Sequence, residues 1–283
     1  MKKIASIVIT LMMVIALCGC SSKSEKITQI SDLNGKDIGI CRISDGFDAK
    51  GAKENFKQLT GVNVNSVAAY GAGTDNAILA LKSGKISAII TAGFEADYYV
   101  KMNDKLAAID FPEFKVNPVA FMGVAKDRTD TYDILNSAIK ELKEDGTMDK
   151  LIDKYVTNLT KKTQEEDITI PFTEGAKILK VAITGSAMPL DYFDSEGKPA
   201  GFDIALLAEI AKLKSMNFDI STYEPNSGMT AVTSGKADVY FCFSLDKEYY
   251  ENGDGNKTFE ESYGIKATDF YFESSGMKFI VNK

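Results

Sequence analysis

The sequence predicts an α/β protein built from two Rossmann-like lobes. Short β-rich segments alternate with amphipathic helical segments, and the alternation occurs twice, which is typical of parallel sheets covered by helices on both faces. A polar stretch over residues 157–177 separates the two sets and is interpreted as a linker. The length agrees with this division, because a prior of about 150 residues per domain makes 283 residues suggest two domains rather than one.

The chain opens with the features of a lipoprotein signal peptide. Two lysines precede an apolar run that is too short to span a hydrocarbon layer of about 30 Å as a permanent helix. The run ends in Leu-Cys-Gly-Cys at residues 17–20, which is similar to a bacterial lipobox. We therefore expect a leader over residues 1–19, a lipidated Cys20 and a tether over residues 20–30 that holds the protein outside the cytoplasm. A plain secretory signal is the alternative.

The first set of elements fills residues 31–156. Gly61 and Gly84 end two of its helical segments, and residues 87–91 form a continuously apolar strand, as expected for a sheet covered on both faces. We predict strands at residues 36–42, 62–67, 87–91 and 120–125, and helices at residues 47–59, 75–83, 95–102, 132–144 and 148–156.

The second set begins at residue 178. A hairpin with its turn at Glu196 and Gly197 leads to a helix that Asp203 is expected to cap. Residues 229–241 align without gaps on residues 78–90, and both segments read as a helix, a Ser-Gly-Lys stop and a buried strand. We predict strands at residues 178–184, 217–222 and 238–243 and a hairpin at 191–201. We also predict one helix at residues 203–213, a second short helix that ends at Ser234, and a strand at the end of the chain.

Composition excludes several classes of function. The chain has no histidine, so catalytic triads that need histidine and histidine-ligated metal sites are excluded. The net charge of −7, which becomes −9 without the two leader lysines, argues against nucleic acid as a partner. Neither Ser-Gly-Lys motif is a phosphate-binding loop, and residues 252–260 depart from a calcium loop at its glycine and glutamate positions. We expect no cofactor, no metal and no enzymatic activity, and we interpret Cys41 and Cys242 as small buried hydrophobes.

Several segments together resemble a known family. The sequence LKVAITGSAMPLDYFDSEGKPAGFDIALLAEIAKL, which begins at Leu179, resembles the opening of the bacterial extracellular solute-binding proteins, type 3, the polar amino-acid family. TSGKADV and DFYFESSGMKFIV fit the same half, while ISDLNGKDIGI, ALKSGKISAI, YYVKMN and ILNSAIKELKEDGTMDKLIDKY resemble that family's second half. The resemblance implies the periplasmic-binding-protein type 2 architecture, in which crossover strands join two lobes.

The order of these segments is reversed relative to the family, which suggests a circular permutant. Residues 31–118 would form the usual second lobe, and residues 119–156 would supply a crossover strand and the closing helices of the other lobe. After the linker, residues 178–283 would form the main part of the first lobe and the outgoing crossover strand. A fusion of two incomplete receptors that pair in trans is the alternative, and close apposition of Lys26 and Lys283 at the hinge would favour permutation.

Ligands of open parallel sheets bind beyond the carboxyl ends of the strands, and a hinge closes two such edges on each other. The polar side chains that follow the predicted strands are therefore our candidate ligand-binding residues. They are Arg42, Ser44, Asp45, Thr91, Asp191, Tyr192, Ser244 and Asp246.

The resemblance also shows departures at the family's amino-acid site. The threonine and arginine that hold the ligand carboxylate in the family fall at Asp246 and Tyr249, and the aspartate for the ligand ammonium group falls at Ala92. The family's aromatic positions around the proline fall at Ala187 and Leu190. A carboxylate-rich cleft would favour a cationic or amine-bearing ligand.

Three function classes follow. The first is a lipid-anchored substrate-binding protein of an ABC importer, expected to be a monomer, with a small polar, amino-acid-like solute, ABC permease subunits and the membrane as partners. The second is a receptor-like lipoprotein that has lost amino-acid binding and acts as a sensor or docking partner. The third, an enzyme on the same scaffold, is disfavoured because no catalytic constellation is present.

Overall fold

A computed structural model describes residues 26–41, 48–71, 73–164 and 166–283, without the side chains of residues 225, 226, 242–245 and 254–256. The strands are β1 Asp37–Cys41, β2 Ser66–Tyr70, β3 Ala88–Ala92, β4 Leu106–Asp110, β5 Pro118–Ala125, β6 Ile178–Ile183, β7 Ser186–Ala187, β8 Asp191–Phe193, β9 Pro199–Ala200, β10 Asn217–Thr222, β11 Val239–Asp246, β12 Ile265–Ala267, β13 Phe272–Glu273 and β14 Met277–Asn282. The helices are α1 Ala49–Thr60, α2 Asp75–Lys82, α3 Gly93–Met102, α4 Thr129–Glu144, α5 Thr147–Ile152, α6 Lys161–Gln164, α7 Phe202–Lys214, α8 Pro225–Thr233, α9 Lys247–Glu251 and α10 Asp254–Tyr263, with a π-helical turn at Asp153–Thr157 after α5 and a 3-10 turn at Ile30–Leu33.

Lobe A, which we define as residues 26–110 and 277–283, is built on a five-stranded sheet with the order β2-β1-β3-β14-β4. β1 pairs in parallel with β2 and β3. β14, the last strand of the chain, runs antiparallel between β3 and β4. The two ends of the chain therefore contribute to one sheet.

Helices cover both faces of the lobe A sheet, because its strands carry apolar side chains on both sides. α2 and α3 pack on one face around Leu81, Ile89 and Ile280. α1 packs on the other face around Phe56 and Phe279, whose rings are 6.0 Å apart. Neighbouring residues of β14 thus point to opposite faces and belong to different cores, as strand geometry requires.

Lobe B, which we define as residues 118–156 and 178–273, contains the second sheet, with the order β10-β6-β11-β5-β12. β6 pairs in parallel with β10 and β11, while β5 runs antiparallel to β11 and β12 and also pairs with β13. A small sheet of β7, β8 and β9 holds the predicted hairpin. The sheets of the two lobes share one pattern. Each contains one antiparallel strand, β14 in lobe A and β5 in lobe B, and the chain enters that strand directly after crossing over from the other lobe.

Lobe B is also covered on both faces. α4, α5 and α7 pack on one face around the buried side chains of Leu135, Ile139 and Phe202. α8 packs on the other face with Phe121, which also contacts Phe259 of α10 at 5.5 Å between ring centroids.

Two short segments, residues 111–117 and 274–276, connect the lobes and lie side by side. The backbone N–H of Phe111 donates to the Met277 carbonyl at 3.1 Å, and the N–H of Ser274 donates to the Pro118 carbonyl at 2.8 Å. Gly93, at the start of α3, lies so close to this pair that an added Cβ would be 2.9 Å from the Ser275 carbonyl oxygen. These contacts form the hinge through which both crossovers pass.

Residues 157–177 are more closely packed than a solvated linker. Leu159 is only 5% exposed and belongs to the core between α2, α3 and the lobe A sheet. The Gln164 amide donates to the Tyr98 hydroxyl at 2.8 Å, also in lobe A. Thr173 then joins lobe B, where its N–H donates to the Asn217 side chain at 2.8 Å. This segment therefore contacts both lobes. The sequence does not reveal these contacts, because Leu159 is a single apolar residue in a polar stretch.

The first and last described residues are neighbours. Lys26, Ile27, Asn282 and Lys283 line one cavity of about 190 Å³. The cavity lies at the end of the lobe A sheet where β3 and β4 begin, since Asn282 pairs with Leu106. The first and last described residues thus meet at the base of lobe A and not at the hinge, where circular permutation was expected to place them.

The predicted fold class, two α/β lobes of the periplasmic-binding-protein type 2 architecture, is confirmed. Some element boundaries differ. The strand predicted at 62–67 lies at Ser66–Tyr70, because the buried Val62 and Val64 belong to a loop that packs into the core. The predicted cap Asp203 lies inside α7, whose N-cap is Gly201. β4, α9, α10 and β12 were not predicted, because their short or polar sequences lack a clear period.

Candidate functional site

The two lobes approach each other at the carboxyl ends of their parallel strands. An added Cβ on Gly73, just after β2, would be 3.6 Å from the Cβ of Ser186, just after β6. Met188, from the loop that follows Ser186, packs against the lobe A core that contains Leu81 and Ile89. Polar residues at these strand ends therefore lie at the junction of the lobes.

On the lobe A side, a buried carboxylate joins three elements. Glu95 is completely buried in the first turn of α3. The Thr74 hydroxyl, at the start of α2, donates to Glu95 at 2.7 Å, and the Thr91 hydroxyl of β3 donates to its other oxygen. Both threonines are themselves buried. This network fixes the positions of two helix N-termini relative to the end of β3.

On the lobe B side, Asp191 organises the loop after β6. Its Oδ1 accepts a 2.8 Å hydrogen bond from the Thr184 hydroxyl and a second from the Gly185 N–H. Asp191 is only 3% exposed. Tyr192 beside it is equally buried, and this burial raises the pKa of its phenol well above the ordinary value. Both side chains hold the hairpin in place at the junction.

Asp246 ends β11 and caps α9. Its Oδ1 accepts hydrogen bonds from the N–H groups of Glu248 and Tyr249, and its Oδ2 accepts one from the Asn117 N–H at 2.9 Å. Asn117 belongs to a crossover segment, so this carboxylate joins α9 to the hinge. The hydroxyl of Tyr249 lies 2.8 Å from that of Thr258.

The structure brings Thr91, Asp191 and Tyr192 to the junction as buried side chains and makes Asp246 a capping residue. Ser244 lies in β11, and its side chain is outside the described part. The remaining predicted residues, Arg42, Ser44, Asp45 and the predicted lipidation site Cys20, lie outside the described residues.

Glu95 and Thr74 are junction residues that the sequence did not reveal. Glu95 follows the strand predicted at residues 87–91 and lies in the first turn of α3. This position after a strand end was a possible signal of a junction residue. Three residues that the resemblance aligns with ligand contacts are apolar and buried: Ala92 at 5%, Ala187 at 2% and Leu190 at 1% exposure. These positions contribute to the core.

Among the residues that the structure describes, no group of three or more acidic or cysteine side chains could hold a metal ion. In the same part of the chain, no helix combines the length and apolarity needed to cross a membrane.

Comparisons with known proteins relate part of the chain to one family. The family model for bacterial extracellular solute-binding proteins, family 3, matches residues 179–251. The chain is 26% identical over 143 residues to the arginine-binding extracellular protein ArtP of Bacillus subtilis (strain 168), an alignment that covers 48% of this chain and 51% of ArtP. The chain thus spans about half the length of this curated relative.

Two solved structures are also similar over most of the chain. The ancestral amino acid-binding protein AncCDT-1, a precursor of cyclohexadienyl dehydratase, matches with a TM-score of 0.45 and 13% identity, covering 88% of this chain and 82% of that one. NikA from Staphylococcus aureus, in complex with Ni(L-His)2, matches with a TM-score of 0.44 and 13% identity, covering 81% and 60%. Residues 179–251 are thus similar to the bacterial extracellular solute-binding proteins of family 3, as the motifs from Leu179 onward predicted.

Proposed function

We propose that the protein is the extracytoplasmic substrate-binding component of an ABC importer, which traps an amino acid or related small polar solute between lobes A and B. The observation that carries this proposal is the matched pair of sheets, each with one antiparallel strand that follows a crossover from the other lobe. Their carboxyl ends meet at Gly73 and Ser186, and two adjacent crossovers form a hinge, so a small rotation can open and close the junction.

A thermal-shift screen tests this function. The mature chain from Ser21 is heated with each standard amino acid, several polyamines and short peptides. A solute at about 100 times its dissociation constant should stabilise the folded state by about 2.7 kcal/mol. Calorimetric titration of every stabilising solute should give one site per chain, whereas a flat screen would contradict the proposal.

The ligand class follows from the charge of the candidate residues. The sequence contains two arginines, Arg42 and Arg128, and Arg128 lies beyond β5 at the base of lobe B. Among the candidates, Asp45 follows β1 in the sequence, and Asp191 lies at the junction. We therefore propose a cationic or amine-bearing solute, and the arginine-binding relative supports this class. Tight binding of acidic amino acids without binding of amines would contradict it.

The lipid anchor is a separate proposal. Cys20 becomes the lipidated first residue, and the tether to Lys26 holds the protein at the membrane beside its permease. Cys20→Ala should release the protein into the medium, and unchanged membrane fractionation would contradict lipidation.

We also propose that the chain is a circular permutant. Three features support this: β14 lies in the sheet of lobe A, β5 lies in the sheet of lobe B, and Lys26 and Lys283 line one cavity. A variant that joins residue 283 to residue 26 through a short linker, and opens the exposed turn between Glu174 and Gly175, should fold to a monomer with a similar melting temperature. Concentration-dependent dimers of the natural chain would favour two incomplete receptors that pair in trans.

A receptor-like lipoprotein without amino-acid binding is the second candidate. The burial of Ala92, Ala187 and Leu190 in the core and the capping role of Asp246 favour it, because the family's ligand contacts are missing at these positions. A folded protein that binds no member of the solute panel in calorimetry would support this candidate over the importer.

A further inference from the structure

One edge of the lobe A sheet carries a row of lysines. This edge is the base, opposite the junction with lobe B, where the parallel strands begin. Lys36, Lys85 and Lys105 precede the parallel strands β1, β3 and β4. Lys283 follows the antiparallel β14, and Lys26 is the first described residue. We call Lys26, Lys36, Lys85, Lys105 and Lys283 the lysine face.

Most of this positive charge is not neutralised. Lys26, Lys85, Lys105 and Lys283 are exposed, and none of them forms a salt bridge within the described residues. Asp37 lies at the same edge, where its carboxylate accepts hydrogen bonds from the side chains of Asn65 and Ser66. Asp104 lies next to Lys105, two residues before β4.

The corresponding edge of lobe B also carries lysines, but acidic residues balance them. Lys177 forms a 3.0 Å salt bridge with Asp130, and Lys214 forms one of 2.6 Å with Glu141. The exposed Lys126 and Lys236 have Asp127 and Asp238 close to them in the sequence. The chain as a whole has a net charge of −7. A local excess of cations on one face of an acidic protein therefore needs a specific explanation.

The dimensions of the lysine face indicate the partner. Neighbouring strands lie about 4.8 Å apart, so the row from β1 to β4 extends over about 14 Å. Lys26, Lys36 and Lys283 also line the cavity of about 190 Å³. A single small anion cannot contact a row of this length, whereas the phosphates of a lipid surface can contact all of it.

We propose that the lysine face of lobe A docks on the anionic headgroups of the membrane. This inference concerns orientation and needs no bound solute, so it goes beyond the proposed function. Cys20 is six residues before Lys26, and six extended residues reach about 20 Å at most. A lipid on Cys20 would therefore hold this face against the bilayer. The docked protein presents lobe A to the membrane and lobe B to the outside.

Vesicle binding tests the proposal without the lipid anchor. The chain from Ser21 contains all the described core clusters, which lie between Ile27 and Val281. It is mixed with vesicles of phosphatidylcholine alone or with about one third phosphatidylglycerol, and bound protein is measured by sedimentation. The protein should bind the anionic vesicles at low salt and lose most binding at about 0.5 M NaCl, because salt screens exposed charges.

A charge-matched pair of variants makes the test specific. Each lysine near an anionic surface contributes about a fivefold change in partitioning, so K26Q/K105Q/K283Q should weaken binding by roughly 100-fold. The control K126Q/K150Q/K180Q removes three exposed lysines of lobe B and should bind as the natural sequence does. Three results would overturn the proposal. They are equal binding to both kinds of vesicle, an equal loss of binding in both variants, and binding of inorganic phosphate without binding of vesicles.

Discussion

Removal of one hydroxyl group at the lobe junction should destabilise the protein measurably. The Thr91 hydroxyl donates to the buried carboxylate of Glu95, and Thr91→Val removes that donor while keeping the β-branched shape. No cavity forms, and the preference for the strand conformation is kept. The effect should therefore come almost entirely from the lost hydrogen bond.

The size of the effect follows from the burial of the carboxylate. A hydrogen bond to a charged group contributes about 1.5–3 kcal/mol, and water cannot replace the donor because Glu95 has no exposed surface. We expect the free energy of unfolding to fall by about 2 kcal/mol. For a chain of this length the melting temperature should fall by about 4–8 °C.

Urea denaturation followed by circular dichroism measures this loss. Thr222→Val, on an exposed threonine of β10, is the matched control and should change the free energy of unfolding by less than about 0.5 kcal/mol. Thr74→Val should couple to Thr91→Val in a double-mutant cycle, because both hydroxyls donate to Glu95. A Thr91→Val variant as stable as the control would refute the network as a source of stability.

Three further predictions concern the hinge, the buried phenols and the segment between the lobes. Gly93→Ala should destabilise the protein by about 1–3 kcal/mol in urea denaturation, because its Cβ would meet the hinge backbone, whereas Gly71→Ala has free space and should be neutral. Burial raises the pKa of Tyr99 and Tyr192 in the folded state, so the stability that these phenols contribute should be fully present below pH of about 10 and be lost above it as unfolded tyrosines ionise; unchanged denaturation midpoints from pH 9 to 11 would contradict this. Leu159→Ala should cost about 2–4 kcal/mol and speed proteolytic cleavage within residues 157–177, and a cleavage rate equal to that of the natural sequence would contradict the packing of this segment.

Local signals in the sequence predicted most of the elements that build the two sheets. The two Ser-Gly-Lys motifs predicted helix ends followed by buried strands, and Gly84 and Gly235 adopt the left-handed conformation at these ends, with φ of 75° and 73°. The strand predicted at 217–222 is β10. These features depend on neighbours in the sequence, so the sequence alone could reveal them.

Features that depend on distant contacts were harder to predict. Leu159 is one apolar residue in a polar stretch, and only its contact with lobe A makes it part of a core. The candidate site shows the same limit. Thr91, Asp191 and Tyr192 lie at the junction of the lobes, but their burial and their partners depend on the tertiary packing of both lobes. Asp246 follows a strand as expected, yet its oxygens bind backbone N–H groups of α9 and the hinge.

The most direct test of the central claim is a distance between the lobes with and without solute. Cysteines at two exposed leucines, Leu79 of α2 in lobe A and Leu213 of α7 in lobe B, can carry spin labels in the chain from Ser21 with Cys41 and Cys242 replaced. A solute that stabilises the protein should shorten the mean distance between the labels by several ångströms and narrow its distribution. The distance between labels at Leu213 and Tyr263, both within lobe B, should not change. An interlobe distance that stays constant with every solute of the panel would contradict a protein that closes around its ligand.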